Sequence, residues 1–361
     1  MISPPGLPVK HLDKWHQFSK FIDAGKGDNF SGMSELKRYF HRFGYLDADD
    51  NFTDTFDDTL ETAVLSYQKK LGLPITGILD SDTVAQIMSP RCGVSDNTNR
   101  KHKIHVTKHY AFFNGEPRWR KPDKSDTWTL TYAFSDNHFI NYLSYFDIRA
   151  AFQRSFSRWA STIPVNFTEV DDYRKADIKI AFYRGDHGDG VPFDGVLGVL
   201  AHAFSPENGR LHLDRDETWA VDLKSSKSNV AVDLESVATH EIGHILGLAH
   251  SSVKEAIMYP SLGPRTRKVD LKMDDVKGVQ KLYGSNPNFR YTPSMESDIS
   301  SGIRFGRGRW VTSLVLLVGA LKWVGAQQIV EGGLRMAYRR ERETEGSRRL
   351  KWGRREKGTF C

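Results

Sequence analysis

The stretch Thr239–His250 reads Thr-His-Glu-Ile-Gly-His-Ile-Leu-Gly-Leu-Ala-His, and the rest of the chain is interpreted around it. His240 and His244 are four residues apart, so on an α-helix both imidazoles lie on one face and can reach one metal ion. Glu241 lies beside the first histidine, where it can contact a water on that ion without being a ligand. A glycine then permits a turn that brings His250 back as a third ligand. Three protein ligands leave one position of a tetrahedral zinc open for water, as in catalytic zinc sites.

The full spacing is more informative than its first half. A bare H-E-x-x-H also occurs on ordinary amphipathic helices. The long form H-E-x-x-H-x-x-G-x-x-H fixes five of the eleven positions from His240 to His250. Together with a downstream methionine turn, it is the metzincin signature. Met258, within Ile257–Pro260, supplies that methionine.

These residues resemble the matrixins, the matrix metalloproteinase branch of the metzincins. Ser251, directly after the third histidine, matches the matrixin pattern, and Ala256–Pro260 is most similar to plant matrixins without a haemopexin domain. The resemblance covers residues 30–285. It implies an α+β fold, in which a metzincin catalytic domain has a twisted mixed five-stranded sheet and three helices. A small three-helix prodomain, similar to peptidoglycan-binding modules, should precede it.

Composition limits the alternatives. The 361 residues suffice for two ordinary domains with tails, and 39% hydrophobic residues suffice for a packed core. The net charge is +6, but residues 335–357 alone carry ten Lys and Arg. The positive charge is therefore concentrated in a tail, and it is weak evidence for nucleic-acid binding. The only cysteines, Cys92 and Cys361, exclude a disulfide framework and a cysteine-based structural zinc site.

Residues 29–104 have the pattern of a small helical module. Ser31–Tyr45, Thr55–Gly72 and Asp80–Met88 carry apolar residues at a helical period. Leu71–Gly77 resembles the turn of peptidoglycan-binding-like prodomains. Such a module fits either a prodomain scaffold or a polysaccharide-binding site. The scaffold is favoured, because an inhibitory motif follows it.

That motif is Pro90–Asp96, which reads Pro-Arg-Cys-Gly-Val-Ser-Asp and is similar to the matrixin cysteine switch. The resemblance implies that the Cys92 thiolate takes the fourth position on the catalytic zinc and keeps a proenzyme latent. Arg91 and Asp96 pair in such motifs and hold the loop. Ser95 stands where proline is usual, which loosens the turn without touching the ligand. The alternative is an inert buried thiol.

Two further metal sites follow from the resemblance. A second zinc should be structural, because three histidines and one aspartate close its tetrahedron. Its ligands match His187, Asp189, His202 and His212. A calcium ion suits the three acids Asp194, Asp214 and Glu217 together with the loop carbonyls of Gly195, Leu197 and Val199. The alternative for the acids is solvated loop charges.

The catalytic domain is expected over residues 105–285. Strands are predicted at Trp128–Phe134, Val165–Val170 and Asp177–Tyr183, and helices at Phe146–Ser161, Asp233–Leu248 and Leu271–Tyr283. Val199–Phe204 should be the edge strand, to which an extended substrate adds through backbone hydrogen bonds, with Ala201 positioning it. Leu262–Asp270 should wall the pocket for the side chain after the cut, with an apolar preference. Near the start of the last helix, an acid of the pair Asp274–Asp275 accepts the new α-amino group in matrixins, and a helix-dipole effect explains the pair equally well.

The two ends are interpreted separately. Residues 1–28 read as a linker at a truncated start, since Met1–Trp15 lacks the apolar run of a signal peptide. The other end is divided into a linker (286–309), a hydrophobic segment (310–330) and a basic tail (331–361). The apolar run Val311–Leu321 is about half a membrane span. Ser300–Gly302 fits a GPI cleavage site if the final exon is wrong, whereas a genuine tail fits a single-pass anchor.

These patterns predict a monomeric zinc endopeptidase, made as a latent proenzyme and opened by an activating protease. It should hydrolyse extracellular proteins or peptides at the outer cell surface or in the apoplast, with Glu241 as general base and Met258 beneath the metal. Two zinc ions and at least one calcium ion are expected. One rival is a silent cell-wall glycan-binding protein that uses residues 31–88. Another is a zinc hydrolase of non-peptide substrates. The intact base and ligands argue against the first rival, and the edge strand against the second.

Overall fold

A mixed β-sheet of five strands lies at the centre of the C-terminal half. The computed structural model describes residues 15–48, 51–97, 110–121 and 127–296. Its strands are β1 (Ala111–Phe112), β2 (Trp128–Phe134), β3 (Val165–Glu169), β4 (Ile178–Tyr183), β5 (Ala201–Ala203), β6 (Arg210–Asp214), β7 (Trp219–Ala220), β8 (Val232–Asp233) and β9 (Leu248–Ala249). The sheet order is β3-β2-β4-β6-β5. The first four strands are parallel, and β5 is antiparallel to β6 at the edge. The predicted mixed five-stranded sheet is confirmed.

Three helices accompany this sheet, as predicted, and three precede it. They are α1 (Met33–Arg42), α2 (Asp58–Lys70), α3 (Ser81–Ile87), α4 (Tyr145–Ala160), α5 (Leu234–Ile245) and α6 (Met273–Tyr283). Each begins and ends within three residues of its predicted bounds. Short 3-10 helices span His16–Phe21 and Pro293–Met295.

Helix α5 is buried along its whole length, and this fixes the residues that it carries. Asp233 caps its start by accepting a hydrogen bond from the Ser236 amide at 2.8 Å. Helix α4 lays its apolar face against the sheet and α5, and the Trp159 indole donates to the Thr239 carbonyl at 2.9 Å. The helix that carries the histidine motif is therefore held by the main core.

The N-terminal module has its own core, formed mainly by α1, α2 and α3. Asp57 caps α2 and Asp80 caps α3, each accepting from the amide three residues on, at 2.9 Å and 2.8 Å respectively. The small three-helix module expected before the catalytic domain is present.

The interpretation of residues 1–28 as a linker is wrong for residues 15–28. Trp15, Phe18 and Phe21 are buried in the core of the N-terminal module. They are three residues apart, so the 3-10 helix at His16–Phe21 presents them on one side. The folded module therefore begins before residue 29. Residues 1–14 lie outside the described part of the chain.

The N-terminal module packs on the catalytic half. Phe193, Val199 and Tyr259 of the catalytic half belong to the core of the module. The Tyr259 hydroxyl also donates to the Gln86 side chain at 3.0 Å. The module thus covers the face of the catalytic half on which Val199 and Tyr259 lie.

The linker predicted at 286–309 packs on the catalytic half over its described part. The Asn286 side chain donates to the Ala160 carbonyl at 2.8 Å, and Phe289 and Met295 pack against the main core. The predicted GPI site, the hydrophobic segment and the basic tail lie outside the described residues, as do residues 98–109. Within the described residues, no helix has both the length and the apolar character needed to cross a membrane.

Candidate metal centre

Three histidines of the central motif converge on one point. Helix α5 places His240 and His244 one turn apart, and His250 follows strand β9. The His244 Nε2 atom lies 3.1 Å from the Nε2 atoms of both His240 and His250. All three side chains are buried or nearly so.

The opposite nitrogen of each ring decides what these Nε2 atoms can do. The Nδ1 atoms of His240 and His244 lie 2.7 Å from the carbonyl oxygens of Ile257 and Leu248, which can only accept a hydrogen bond. Since a neutral imidazole has one N–H, both rings must turn a lone pair toward the cluster. Burial also lowers the pKa of all three histidines, which favours their neutral form.

Converging lone pairs repel each other unless a cation lies between them. Zinc–nitrogen distances of about 2.0–2.1 Å would place two ligands of a tetrahedral ion about 3.4 Å apart. The observed separations of 3.1 Å are close to that value. The donor set therefore fits zinc.

Cys92 occupies the fourth corner. Its Sγ atom lies 3.4 Å from the His244 Nε2 atom. The ligand atoms of Cys92, His240, His244 and His250 all lie within 4.8 Å of one another. Burial, and then the neighbouring Glu241, raise the pKa of the Cys92 thiol. A dication at the centre of the cluster would reverse that shift, because it favours the thiolate.

The segment around Cys92 lies between two strips of the catalytic half. Arg91 forms a parallel bridge with Val199 on one side and an antiparallel bridge with Ser261 on the other. The Gly93 amide donates to the Ala201 carbonyl at 2.8 Å, and the Cys92 amide to the Pro260 carbonyl at 2.9 Å. A side chain at Gly93 would come within 2.6 Å of Val199, so glycine is required there. The segment thus occupies the edge of β5 that was predicted to bind substrate, including Ala201.

Arg91 and Asp96 form the expected ion pair at 2.6 Å, and both side chains are fully buried. The Arg91 guanidinium also lies over the Phe43 ring, 3.7 Å from its centroid. Ser95, which replaces the usual proline, donates through its hydroxyl to the Phe43 carbonyl at 3.1 Å. A proline could not make this bond, so Ser95 partly offsets the looser turn that its backbone allows.

Glu241 is fully buried at the rim of the histidine cluster. Neither of its carboxylate oxygens has a hydrogen-bond partner among the described residues. Burial raises the pKa of Glu241 to about 8, and the neighbouring Cys92 opposes that shift. A buried acid without a partner usually has a reason in function or in a missing water or ion. Its position beside His240 suits proton transfer to or from a group at the fourth corner.

Met258 follows Ile257, whose carbonyl contacts His240, and packs against α5. A side chain on Gly243, in α5, would overlap the Met258 sulfur, so the methionine packs directly on the helix backbone. Asp275 holds the turn by accepting from the Ile257 and Met258 amides at 2.9 and 3.1 Å. Sequence reasoning did not find this role, since Asp275 was weighed only as a partner for an α-amino group or for the helix dipole. Its neighbour Asp274 accepts from the Ser251 hydroxyl at 2.6 Å.

A small pocket of about 20 Å³ lies beside Glu241 and His240. Its lining includes Leu200, Val237 and Leu262, which give it the expected apolar character. Lys268 also lines it, and burial lowers the pKa of that amine to about 8. The predicted wall Leu262–Asp270 therefore contributes one apolar and one basic side chain.

A second cluster forms where β5 and β6 meet the preceding loop. The Asp189 Oδ2 atom lies 2.9 Å from the His187 Nε2 atom and 2.8 Å from both His202 Nε2 and His212 Nδ1. Burial lowers the pKa of His202 and His212 to about 4, so neither ring is protonated near neutral pH. Three imidazoles around one carboxylate fit a closed four-ligand zinc site.

The three predicted calcium ligands with side chains lie close together. The side chains of Asp194, Asp214 and Glu217 are almost fully buried, and the charges of Asp194 and Asp214 contribute to raising the pKa of Glu217. Burial raises the pKa of Asp214 to about 7 and also raises that of Glu217. These acids are not among the described clusters whose ligand atoms all lie within 4.8 Å. The feature that favours a cation there is the burial of the three carboxylates, and not a tight convergence of their oxygen atoms.

The loop residues predicted to supply carbonyls contact these acids through their amides. Gly195, Leu197 and Val199 donate to Asp214, Glu217 and Asp194 at 3.2, 2.8 and 2.7 Å. A side chain at Gly198 would overlap the Asp194 carboxylate, so only glycine fits at that position. The loop is therefore built around the acids.

Comparison with known proteins gives consistent matches. A family model described as matrixin matches residues 118–284, and one described as putative peptidoglycan binding domain matches residues 31–87. Metalloendoproteinase 1-MMP of Arabidopsis thaliana is 56% identical over 317 residues, which is 85% of this chain and 85% of that protein. Metalloendoproteinase 4-MMP of the same plant is 57% identical over 277 residues, covering 76% of this chain and 79% of that protein. Matrilysin of Homo sapiens is 36% identical over 270 residues, covering 72% of this chain and 90% of that protein.

Proposed function

The chain belongs to the matrixin family of zinc metalloendopeptidases, and from this premise we propose that it is made as a latent proenzyme. The observation that carries the proposal is the position of Cys92, whose sulfur completes a set of four potential metal ligands with His240, His244 and His250. The segment that carries Cys92 also covers the edge of β5. The deciding experiment is the substitution Cys92→Ser in the full chain, assayed for peptidase activity before any processing.

Different residues of the chain have different roles in the proposed peptide hydrolysis. Zinc, when bound to the three histidines, supplies Lewis acidity that activates water near neutral pH and polarises the scissile carbonyl. Glu241 takes a proton from that water and later delivers it to the leaving amine. The backbone of Ala201, freed from Gly93, accepts a hydrogen bond from the extended substrate. The pocket lined by Leu262 takes the side chain that follows the cut.

We further propose that His187, Asp189, His202 and His212 hold a structural zinc. The substitution His202→Ala should remove one zinc per chain and cost about 4 kcal/mol or more, as losses of a structural metal do. For a domain of about 150–250 residues, the size range of the proposed catalytic domain, that lowers the melting temperature by about 8–16 °C. Metal analysis and thermal melting on the full chain measure both effects.

The matched control is His138→Ala, since His138 is an exposed histidine on the neighbouring Tyr183 ring and lies outside the cluster. It should leave zinc content and melting temperature unchanged. An unchanged zinc content in His202→Ala would remove the structural site.

Calcium is proposed at Asp194, Asp214 and Glu217, because buried carboxylates without a cation oppose folding. Calcium at 100 times its dissociation constant should stabilise the chain by about 2.7 kcal/mol. Thermal melting with added calcium, with magnesium as the comparison ion, measures this. Glu217→Gln should reduce the calcium effect, whereas Asp216→Asn, which alters an acid paired with Arg184, should preserve it. Equal calcium stabilisation in both variants would place the ion elsewhere.

The boundaries and setting of the protein follow as proposals. Residues 29–104 with the added segment 15–28 form the prodomain, and residues 105–285 form the catalytic domain. A protease that cuts between them activates a monomer outside the cell. Attachment through the C-terminal segment, by a GPI anchor or a membrane span, would keep the enzyme at the outer cell surface.

Glycan binding is the second candidate, favoured by the peptidoglycan-binding description of residues 31–87. Part of the core of this module is shared with Val199 and Tyr259 of the catalytic half. Retention of the full chain on immobilised cell-wall glycan would favour this candidate.

A further inference from the structure

One carboxylate of the prodomain contacts a histidine of the metal centre directly. The Asp96 Oδ1 atom lies 2.7 Å from the His250 Nδ1 atom. The same oxygen accepts from Arg91 at 2.6 Å, and Asp96 Oδ2 accepts from the Tyr45 hydroxyl at 2.8 Å. The side chains of Asp96 and His250 are both fully buried. Asp96 therefore links the Arg91 ion pair of the switch to the third histidine.

The other two histidines are held differently. His240 and His244 donate through Nδ1 to the carbonyls of Ile257 and Leu248, which belong to the catalytic half. Those two supports stay in place when the prodomain leaves. Only the support of His250 is contributed by the prodomain.

A carboxylate behind a ligating histidine has a known physical effect. It fixes the tautomer that leaves Nε2 free, it orients the ring, and it makes the ring a stronger electron donor. Substitution of such partners typically reduces metal affinity by about 10–100-fold. A charged acceptor at 2.7 Å, fully shielded from water, is the strong form of this contact.

We propose that Asp96 is a positioning residue for His250, so that the prodomain gives the metal centre both a thiolate ligand and a carboxylate behind the third histidine. The inference rests on the proposed latency. It predicts that the latent chain holds zinc more tightly than Cys92 alone explains. Removal of the prodomain then opens the fourth coordination position of the metal and, in the same event, takes the Asp96 carboxylate away from His250.

The test is a double-mutant cycle in the full chain. All proteins carry Glu241→Gln, so that none can process itself. The four compared are the parent, Cys92→Ser, Asp96→Asn and the double variant, each loaded with zinc. The release of zinc to an excess of chelator is followed over time. The release phase that is absent from the His250→Ala variant is assigned to the catalytic site. Asp96→Asn should speed that phase about tenfold, whether or not Cys92 is present.

A matched control separates the His250 contact from general loosening. Tyr45→Phe removes a hydrogen bond to the other oxygen of the same carboxylate and should leave zinc release unchanged. Hydrogen exchange at the Leu262 amide, which donates to the Pro90 carbonyl at 3.0 Å, reports whether the segment stays docked. If Asp96→Asn has no effect in the Cys92→Ser background while the segment stays docked, the inference is overturned, because Asp96 then acts only through Cys92.

A spectroscopic measurement detects the contact itself. With cobalt in place of zinc, Asp96→Asn should shift the visible bands of the catalytic site in the Cys92→Ser background, and Tyr45→Phe should not. The structural site contributes equally to both spectra and cancels in their difference. An unchanged difference spectrum would contradict the proposal.

If Asp96→Asn releases the segment from the cleft, the contact is tested instead in the parent protein, which keeps Asp96. In the zinc-loaded parent, the His250 Nδ1 proton, assigned by its loss in His250→Ala, should be shifted downfield and slow to exchange. A rapidly exchanging proton would overturn the inference. Failure of latency is recognised separately, since the unprocessed chain with Cys92 and Glu241 intact would then already cleave peptides.

Discussion

Processed protein that carries Glu241→Gln is expected to keep its zinc and to lose peptidase activity by about 10²–10⁴-fold, because a general base has been removed. The carboxylate is fully buried and has no partner among the described residues, so its loss breaks no hydrogen bond of the fold. Glutamine has the same shape but cannot accept a proton. The measurement is kcat/KM on a quenched fluorescent peptide, with zinc content determined on the same sample.

Glu207→Gln is the matched control, because Glu207 is a half-exposed acid whose described ion-pair partner is Arg120. It should retain full activity. A zinc-loaded Glu241→Gln protein that keeps most of its activity would remove Glu241 from the role of general base.

Patterns within one element were predictable from the sequence. The spacing of His240 and His244 depends only on the helical period. Trp128–Phe134 was found with its observed bounds because large apolar residues alternate with smaller ones in its sequence. The aspartate caps of α2, α3 and α5 mark helix starts for the same local reason. In each case the physical cause lies within a few residues of the observation.

Two errors came from signals that were present but not weighed. Trp15, Phe18 and Phe21 have the spacing of a helical face, yet residues 1–28 were interpreted as a linker. Strand β6 reads Arg-Leu-His-Leu-Asp, which alternates polar and apolar residues, but only its metal-binding side chains were considered. A pattern search that ignored function would have found both elements.

Contacts between distant segments could not be predicted. Asp96 and His250 are 154 residues apart in the chain, and the sequence pairs Asp96 only with Arg91. Asp275 meets the methionine turn through backbone amides, which carry no signature in the sequence. Lys268 enters a pocket whose apolar character was inferred from the matrixin resemblance. Such contacts depend on how the two cores pack together.

The full chain with Cys92→Ser is expected to cleave peptides before any processing, whereas the unchanged chain should be silent. A serine hydroxyl stays protonated near neutral pH and is a poor zinc ligand, so water can take the fourth position. The segment around residue 92 should also open transiently, because the sulfur that joins it to the metal centre is gone, and should stay docked through Asp96 and His250 between openings. Initial rates on a fluorescent peptide, with intact mass checked at each time point, separate this activity from self-processing.

The same change at the only other cysteine, Cys361→Ser, is the control and should leave the chain latent. The contrast between the two variants decides the proposal, since each replaces one thiol by a hydroxyl. Activity confined to Cys92→Ser means that one sulfur keeps the enzyme silent. If the intact Cys92→Ser chain stays as inactive as the parent while zinc remains bound, the hydrogen bonds of Gly93 and its neighbours to the β5 edge block substrate on their own. Latency would then lie in the occupied cleft, and the thiol would be dispensable.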